Sequence, residues 1–332
     1  MKKLVLLMGI AISLAALPAT AATYYVGFCH AGGFSTISAA VNSSSVAAGS
    51  TIKVCPGTYN EQVVISKALT LQGIAYGNLG SATIVGSPAD ATLTDGGGEL
   101  IRPSIVVTAS PVNITGMNIM QTLSGTDCYP PIVVGIYYGS GASGTVNHSN
   151  VSILPVPNGV CEESYGLLAE NYNSSLDTVN VLNSSFEVII WGIVAVTPPQ
   201  PQSLSLTISG NQIYALGSGI NFTGASGTIS GNFVVAGSTG LELSGAVQAK
   251  GNTINAYSGV MVGANTPTIS NNRIRGYYDV FFSCNPANVT GNTLYGGFGA
   301  LSSTGLEAVP SSFSGTNTFY NIGTLGGPGS GC

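Results

Sequence analysis

One phrase recurs five times between residues 204 and 294, and it constrains the fold more than anything else in the chain. Residues 207–213 read TISGNQI, 228–234 TISGNFV, 248–254 QAKGNTI, 268–274 TISNNRI and 288–294 NVTGNTL. The fifth letter of each copy is Asn: Asn211, Asn232, Asn252, Asn272 and Asn292, spaced 21, 20, 20 and 20 residues apart. A fixed period near 20 is the signature of a solenoid in which each repeat is one turn of the coil. Between successive asparagines a small residue leads an alternating stretch: 219–222 GINF, 240–243 GLEL, 259–262 GVMV, 279–282 DVFF and 299–302 GALS. Alternation with period two is a strand signal, so each coil is expected to hold one strand ending at the Asn, a short strand after it and a third opening at the Gly. Gly, Asn and Ser at the joints suit the tight or left-handed backbone of the corners.

A strand of this length buries nothing alone. Stacked on its copies at about 4.8 Å, it builds one continuous core, and an Asn repeated at one corner can hydrogen-bond to the next Asn as a ladder. On these asparagines and Gly-led strands the chain resembles the right-handed parallel β-helix proteins of the pectate-lyase-like superfamily, over roughly residues 24–320. The resemblance implies an all-β, single-stranded solenoid of about ten coils. It also implies that the Asn corner joins the second and third sheets and that the Gly-led strand opens the first.

Residues 1–21 read as a signal peptide: Lys2 and Lys3, an apolar stretch over 4–17, and a small-residue site at 19–21. An exported chain is therefore expected, with residues 22–332 as one domain, an N-terminal cap at about 24–60 and a C-terminal tail at about 310–332. Beyond residue 21 six basic residues face 13 acidic ones, a formal charge of −7. That balance, without any Lys/Arg cluster, excludes a typical nucleic-acid or anionic-membrane binder, and 44% hydrophobic residues argue against disorder.

The spacing of apolar residues in 34–41 (FSTISAAV) predicts a short helix closing the mouth of the coil, ahead of a first coil built from 51–54 (TIKV), 56–61 (PGTYNE) and 69–74 (LTLQGI). That order is similar to the N-terminal cap of pectin methylesterases, whose catalytic Gln, paired Asp and Arg motifs have no counterpart further along. From 100 to 200 the repeat loosens. The ladder slot falls on Met117, Ser149 and Ser184, and the first-sheet strands open at Gly135, Gly166 and Gly192. Corner to Gly takes 18 residues from 117 to 135 and 17 from 149 to 166, against seven or eight in the regular coils. These are loops on one edge of the first sheet, and a proline-rich insertion at 198–201 leaves the other edge. Six cysteines in an exported chain imply three disulfides. Of the 15 possible pairings, repeat register favours Cys29–Cys55, Cys128–Cys161 and Cys284–Cys332.

In the resembled superfamily the substrate lies along the outer face of the first sheet. There the loops place Asp127, Glu162 and Glu163, with Glu170 ending the Gly166 strand, and these four are the candidate catalytic acids and bases. Alternation turns Tyr137, Leu168, Val194, Asn221, Glu242, Met261 and Phe281 outward. Tyr129, Tyr137, Tyr165 and Glu242 are the candidate substrate-binding residues, since aromatic rings stack on pyranose faces. Asp127, Glu162 and Glu163 could equally hold Ca²⁺, a hard cation wanting several oxygens, or merely solvate two long loops; no other cofactor is implied.

Against turnover, the sequence lacks the Asp-Asp and Gly-His-Gly motifs of polygalacturonases, and Lys250, Arg273 and Arg275 fall at the ladder corner, away from the first sheet. His30 and His148 are far apart in sequence and read as structural. Two functions therefore stand. The first is a secreted, extracellular or cell-surface protein that binds a polysaccharide or surface glycan without turnover. The second is a polysaccharide-degrading hydrolase or lyase working on the first-sheet face.

Overall fold

The structure, a computed structural model, describes residues 21–77, 80–122, 131–154, 163–198, 203–263, 265–282, 287–296 and 316–320. The chain winds as a right-handed parallel β-helix. The strands that end at the ladder corner, among them Leu204–Ser209, Ser226–Ser230 and Val247–Lys250, form an 11-stranded sheet, here the second. The strands after the corner (third sheet) and the Gly-led strands (first sheet) join into one bent 19-stranded sheet. They join because Phe233–Ser244 and Thr253–Val262 run without a break around the edge between the two faces. Every pairing between described strands is parallel except one, between Leu93–Thr94 and Leu100–Val107.

Inside, the side chains stack in columns. Ile114, Val146, Val181, Ile208, Ile229, Ala249, Ile269 and Val289 line the second sheet, and Ile119, Val151, Phe186, Ile213, Val234, Ile254, Ile274 and Leu294 line the third; all are buried. A burial pattern alternating along each strand is what a period-two sequence produces when only one side faces the core.

The ladder runs further than its five asparagines. Each backbone N–H at the corner donates to the side-chain oxygen of the next coil: Met117 to Ser149, Ser149 to Ser184, Ser184 to Asn211, and so on through Asn292 to Asn317. In the Asn coils the amide Nδ2 donates twice more, to the next Asn and to a carbonyl of the preceding coil, as Asn252 does to Asn272 (2.9 Å) and to the Ile229 carbonyl (2.9 Å). The residue before each slot turns left-handed: Gly116, His148, Asn183, Gly210, Gly231, Gly251, Asn271 and Gly291 all have φ between 47 and 68°. His148 thus serves the corner's backbone.

The strand-leading glycines have a different reason. Gly135, Gly166, Gly192, Gly219, Gly240 and Gly259 carry no left-handed φ, but a Cβ there would lie 2.3–2.6 Å from the carbonyl oxygen of the same column one coil on. Close approach of neighbouring coils, not turn geometry, demands Gly.

At the N-terminal end, helix Ile37–Asn42 buries Ile37, Ala40 and Val41 in the core. The carboxylate of Glu61 accepts from the N–H groups of Ile37 and Ser38, both at 2.8 Å, satisfying donors that the first helical turn leaves open. Tyr59 is buried and donates to the Cys55 carbonyl, so the Gly-Thr-Tyr-x-Glu stretch is structural. The sequence reading is one rung short here. Thr23–Val26, ahead of the helix, pairs in parallel with residues 51–54 and is the first strand of the second sheet. Four residues before a helix carry too little alternation to announce a strand. Cys29 and Cys55 are bonded, with Cα atoms 5.7 Å apart. Cys128, Cys161, Cys284 and Cys332 lie outside the described residues. Among the described residues no helix is long and apolar enough to cross a membrane.

Candidate functional site

The register confirms the outward column of the first sheet: Val106, Tyr137, Leu168, Val194, Asn221, Glu242 and Met261 pair in succession. What covers that column changes along the coil axis. Over the upstream coils, Ile101, Val106, Ile132, Val134, Tyr137, Leu168 and Val194 form a buried apolar layer on the outside of the sheet. The hairpin of the single antiparallel pair carries residues 95–99 (DGGGE) at its turn and is pinned down through Glu170. This carboxylate accepts from the Gly96 N–H at 2.6 Å and from the Tyr137 hydroxyl. The Tyr172 ring lies so close to Gly96 that a Cβ there would sit 2.1 Å from it.

Glu170 is 2% exposed and Tyr137 6%. Burial pushes the Glu170 carboxyl above its ordinary range, opposed by its bonds to Tyr137 and Gly96. Burial first, and then the Glu170 contact, raises the Tyr137 phenol. Both residues were expected to face substrate. They are instead beneath the hairpin, because the apolar run of the upstream strands needs cover on this side as well as inside.

Above this layer lies a rim of acids. Asp95 is half-buried and Glu99 and Glu163 are exposed. The Glu99 carboxyl is raised by partial burial, then by the negative charges of Asp95 and Glu163. Tyr165 stands beside them, its phenol raised by burial and then by Glu163 and Glu99, and its ring meets Trp191 edge-on at 6.5 Å. Asp127, Tyr129 and Glu162 lie outside the described residues. Among the described residues, no group of three His, Cys, Asp or Glu is placed to hold a metal ion.

Downstream of Trp191 the face is open. Where the third sheet bends into the first, a cleft of about 560 Å³ is lined by Trp191, Ser218, Thr239, Glu242, Tyr257 and Tyr278, among others. Tyr257 and Tyr278 meet edge to face, 5.7 Å between centroids and 88° between planes. Glu242 projects from the first sheet, one coil on from Asn221 and in register with it. Thr223 donates its hydroxyl to Asn221 Oδ1 (2.9 Å), which leaves the amide N–H groups for Glu242. Burial raises the Glu242 carboxyl and the Asn221 side chain partly offsets this. Along the axis Glu242 is three coils from the strand of Glu170, roughly 14 Å at about 4.8 Å per coil. That exceeds the roughly 5–9.5 Å that separates the paired carboxylates of glycosidases.

Of the residues lining this cleft the sequence reading names Glu242 as a candidate, and it does not name Trp191, Tyr257 or Tyr278. Their shared signal is position: each falls one or two residues before the one that leads a first-sheet strand (Gly192, Gly259, Asp279), at the bend where side chains fan outward.

No family model and no curated protein matches this chain. Among solved structures, the chain is similar in fold to a pectin methylesterase from Aspergillus niger, at 15% identity and a TM-score of 0.40 over 92% of this chain and 91% of that one. It is likewise similar to the pectin methylesterase PemA from Erwinia chrysanthemi, at 10% identity and 0.43 over 90% and 92%. The enzymatically active domain of tailspike protein 2 from bacteriophage CBA120 matches at 12% identity and 0.40, over 82% of this chain and 40% of that one. At these identities the likeness concerns the path of the backbone.

Proposed function

We propose that this chain is a secreted β-helix protein that binds a polysaccharide in the cleft between the third and first sheets and does not cleave it. The observation that carries this reading is the set of three rings, Trp191, Tyr257 and Tyr278, around the lone carboxylate of Glu242. Rings offer apolar faces to sugar C–H groups, and Glu242 with Ser218 and Thr239 offers acceptors and donors for hydroxyls. General acid–base hydrolysis asks for a second carboxylate across the bond, and none lines this cleft among the described residues. Export is supported by the Cys29–Cys55 disulfide, a bond that persists in oxidising compartments.

A second reading, hydrolysis at the hairpin rim, is favoured by one observation: partial burial, and then the charges of Asp95 and Glu163, raise the Glu99 carboxyl, as a general acid requires. Ca²⁺ bound by Asp127, Glu162 and Glu163 belongs to the same reading.

One experiment separates them. Residues 22–332 are offered a panel of polysaccharides with Ca²⁺ or chelator, and both retention and new reducing ends are measured. Retention without product, weakened about tenfold or more by Trp191→Ala, is the expected result. Product that disappears in Glu99→Gln would establish the enzyme instead.

A further inference from the structure

The outer face of the third sheet carries a feature the sugar cleft does not use. Strand Arg273–Arg275 buries Ile274 and leaves both arginines exposed, so two guanidinium groups project from one face, about 7 Å apart along the strand. No other described strand holds two basic residues. The remaining cations are dispersed: Lys67 is bound to the Ser43 and Val46 carbonyls, and Arg102 is buried.

Around the pair stand two tyrosine stacks. Tyr257 and Tyr277 lie parallel at 5.1 Å and 5°, and Tyr295 and Tyr320 at 5.1 Å and 11°. The Arg273 guanidinium sits over the Tyr295 ring, 4.9 Å from its centroid. The cleft between the stacks measures about 650 Å³, and no carboxylate lines it among the described residues. In a chain with 13 acidic residues, a two-arginine cleft free of acids is a local reversal of charge.

The geometry points to a second binding site here, for a saccharide bearing carboxylate or sulfate groups, on the third-sheet side of Tyr257, the one ring it shares with the sugar cleft. A guanidinium held over a ring still has N–H groups to donate, and its fork matches the paired oxygens of a carboxylate or sulfate. The two stacks offer ring faces to the sugar between the charges. A nucleic-acid chain is the poorer fit, because its affinity grows with the number of phosphates neutralised and this face supplies two cations on an acidic protein.

The test titrates the full chain beyond residue 21 with size-matched oligosaccharides from alginate (carboxylated), heparin (sulfated) and dextran (neutral), and with a single-stranded oligonucleotide, at low and high salt. The two charged sugars should bind, and the one that binds more tightly identifies the acid group. Arg273→Gln with Arg275→Gln should weaken that binding about tenfold or more without moving the melting temperature, since both side chains are exposed. Trp191→Ala should leave it unchanged and weaken only neutral sugar, so this site and the sugar cleft stand or fall separately. The inference is overturned if the charged sugars bind the double variant as well as the parent, if neither binds at millimolar concentration, or if the oligonucleotide binds more tightly than both.

Discussion

The coils before residue 200 and those after it keep the same cross-section by different means. From Asn211 to Asn292 each corner holds an Asn whose side chain bonds both neighbouring coils, four contacts in the case of Asn252. Before residue 200 the slot holds Met117, Ser149 and Ser184, and in the first two steps the side chain of the next coil contributes one bond each, 3.3 Å from the Met117 N–H to Ser149 and 3.2 Å from the Ser149 N–H to Ser184. The upstream coils are supported from outside instead, by the apolar layer beneath the 93–101 hairpin. Where the corner holds the coil from within, the outer faces are spared, and both clefts lie there. A solenoid that must bury its outer face for stability cannot also offer it to a ligand.

The sharpest break in this comparison is Asp279, the one non-glycine in the described column from Gly135 onward. It is fully buried; Oδ1 accepts from the Gly276 N–H at 2.9 Å, and Oδ2 has no partner. Burial pushes its carboxyl up to about 7, from an ordinary value of 3.8. The folded state therefore keeps a proton that the unfolded chain has lost between those values, so stability falls as pH rises through that window. The loss is on the order of 4 kcal/mol once pH passes 7, and below the ordinary value it vanishes. Denaturant titrations at acidic and mildly alkaline pH should show this decline in the parent and none of it in Asp279→Asn. Parallel profiles would mean the carboxyl is not held neutral.

Next in size is the corner itself. Asn252→Ala removes four contacts and strands a buried N–H on Asn232, an expected cost of about 3 kcal/mol. Ser149→Ala removes two bonds, one accepted from the Met117 N–H at 3.3 Å and one donated to the Asn147 carbonyl at 3.1 Å, and should cost less, about 1 kcal/mol. Equal costs would mean that Asn is present for turn propensity rather than for the ladder.

These contrasts also explain what could be read in advance. The ladder was legible because one residue type must recur wherever coils share a hydrogen-bonding corner. The glycine column was legible for the same reason, although its cause is a 2.3–2.6 Å approach rather than a turn. Asn317 escaped because it is 25 residues past Asn292, off the period, although Thr318 and Phe319 repeat the end of the phrase. The first-sheet strands were read correctly in register and incorrectly in exposure. Alternation says that Tyr137 and Glu170 leave the core, but nothing local says that a hairpin some 40 to 70 residues upstream returns to cover them. The clefts were illegible for a related reason: Trp191, Tyr257, Tyr278 and the Arg273–Arg275 pair meet only after stacking brings separate coils together.

The smallest effect tests how the upstream face is closed. If Glu170 anchors the hairpin, Glu170→Ala should free the Gly96 N–H and the Tyr137 hydroxyl at a cost of about 1–2 kcal/mol, and limited proteolysis should then cut within residues 95–99. Glu170→Gln keeps an acceptor for both donors and removes the buried charge, so it should retain protection. It should also remove a pH dependence of defined sign. Because the folded carboxyl is raised, the parent's hairpin should hold best in acid and loosen as pH rises above the ordinary carboxylate range, while the Gln variant stays constant. Were Glu170 a catalytic acid instead, both variants would abolish turnover, and Ala would leave proteolysis of the hairpin as it is in the parent. The two roles demand opposite things of the same carboxylate, one a permanent bond to Gly96 and the other freedom to give up a proton to substrate, and a side chain 2% exposed beneath the hairpin favours the anchor.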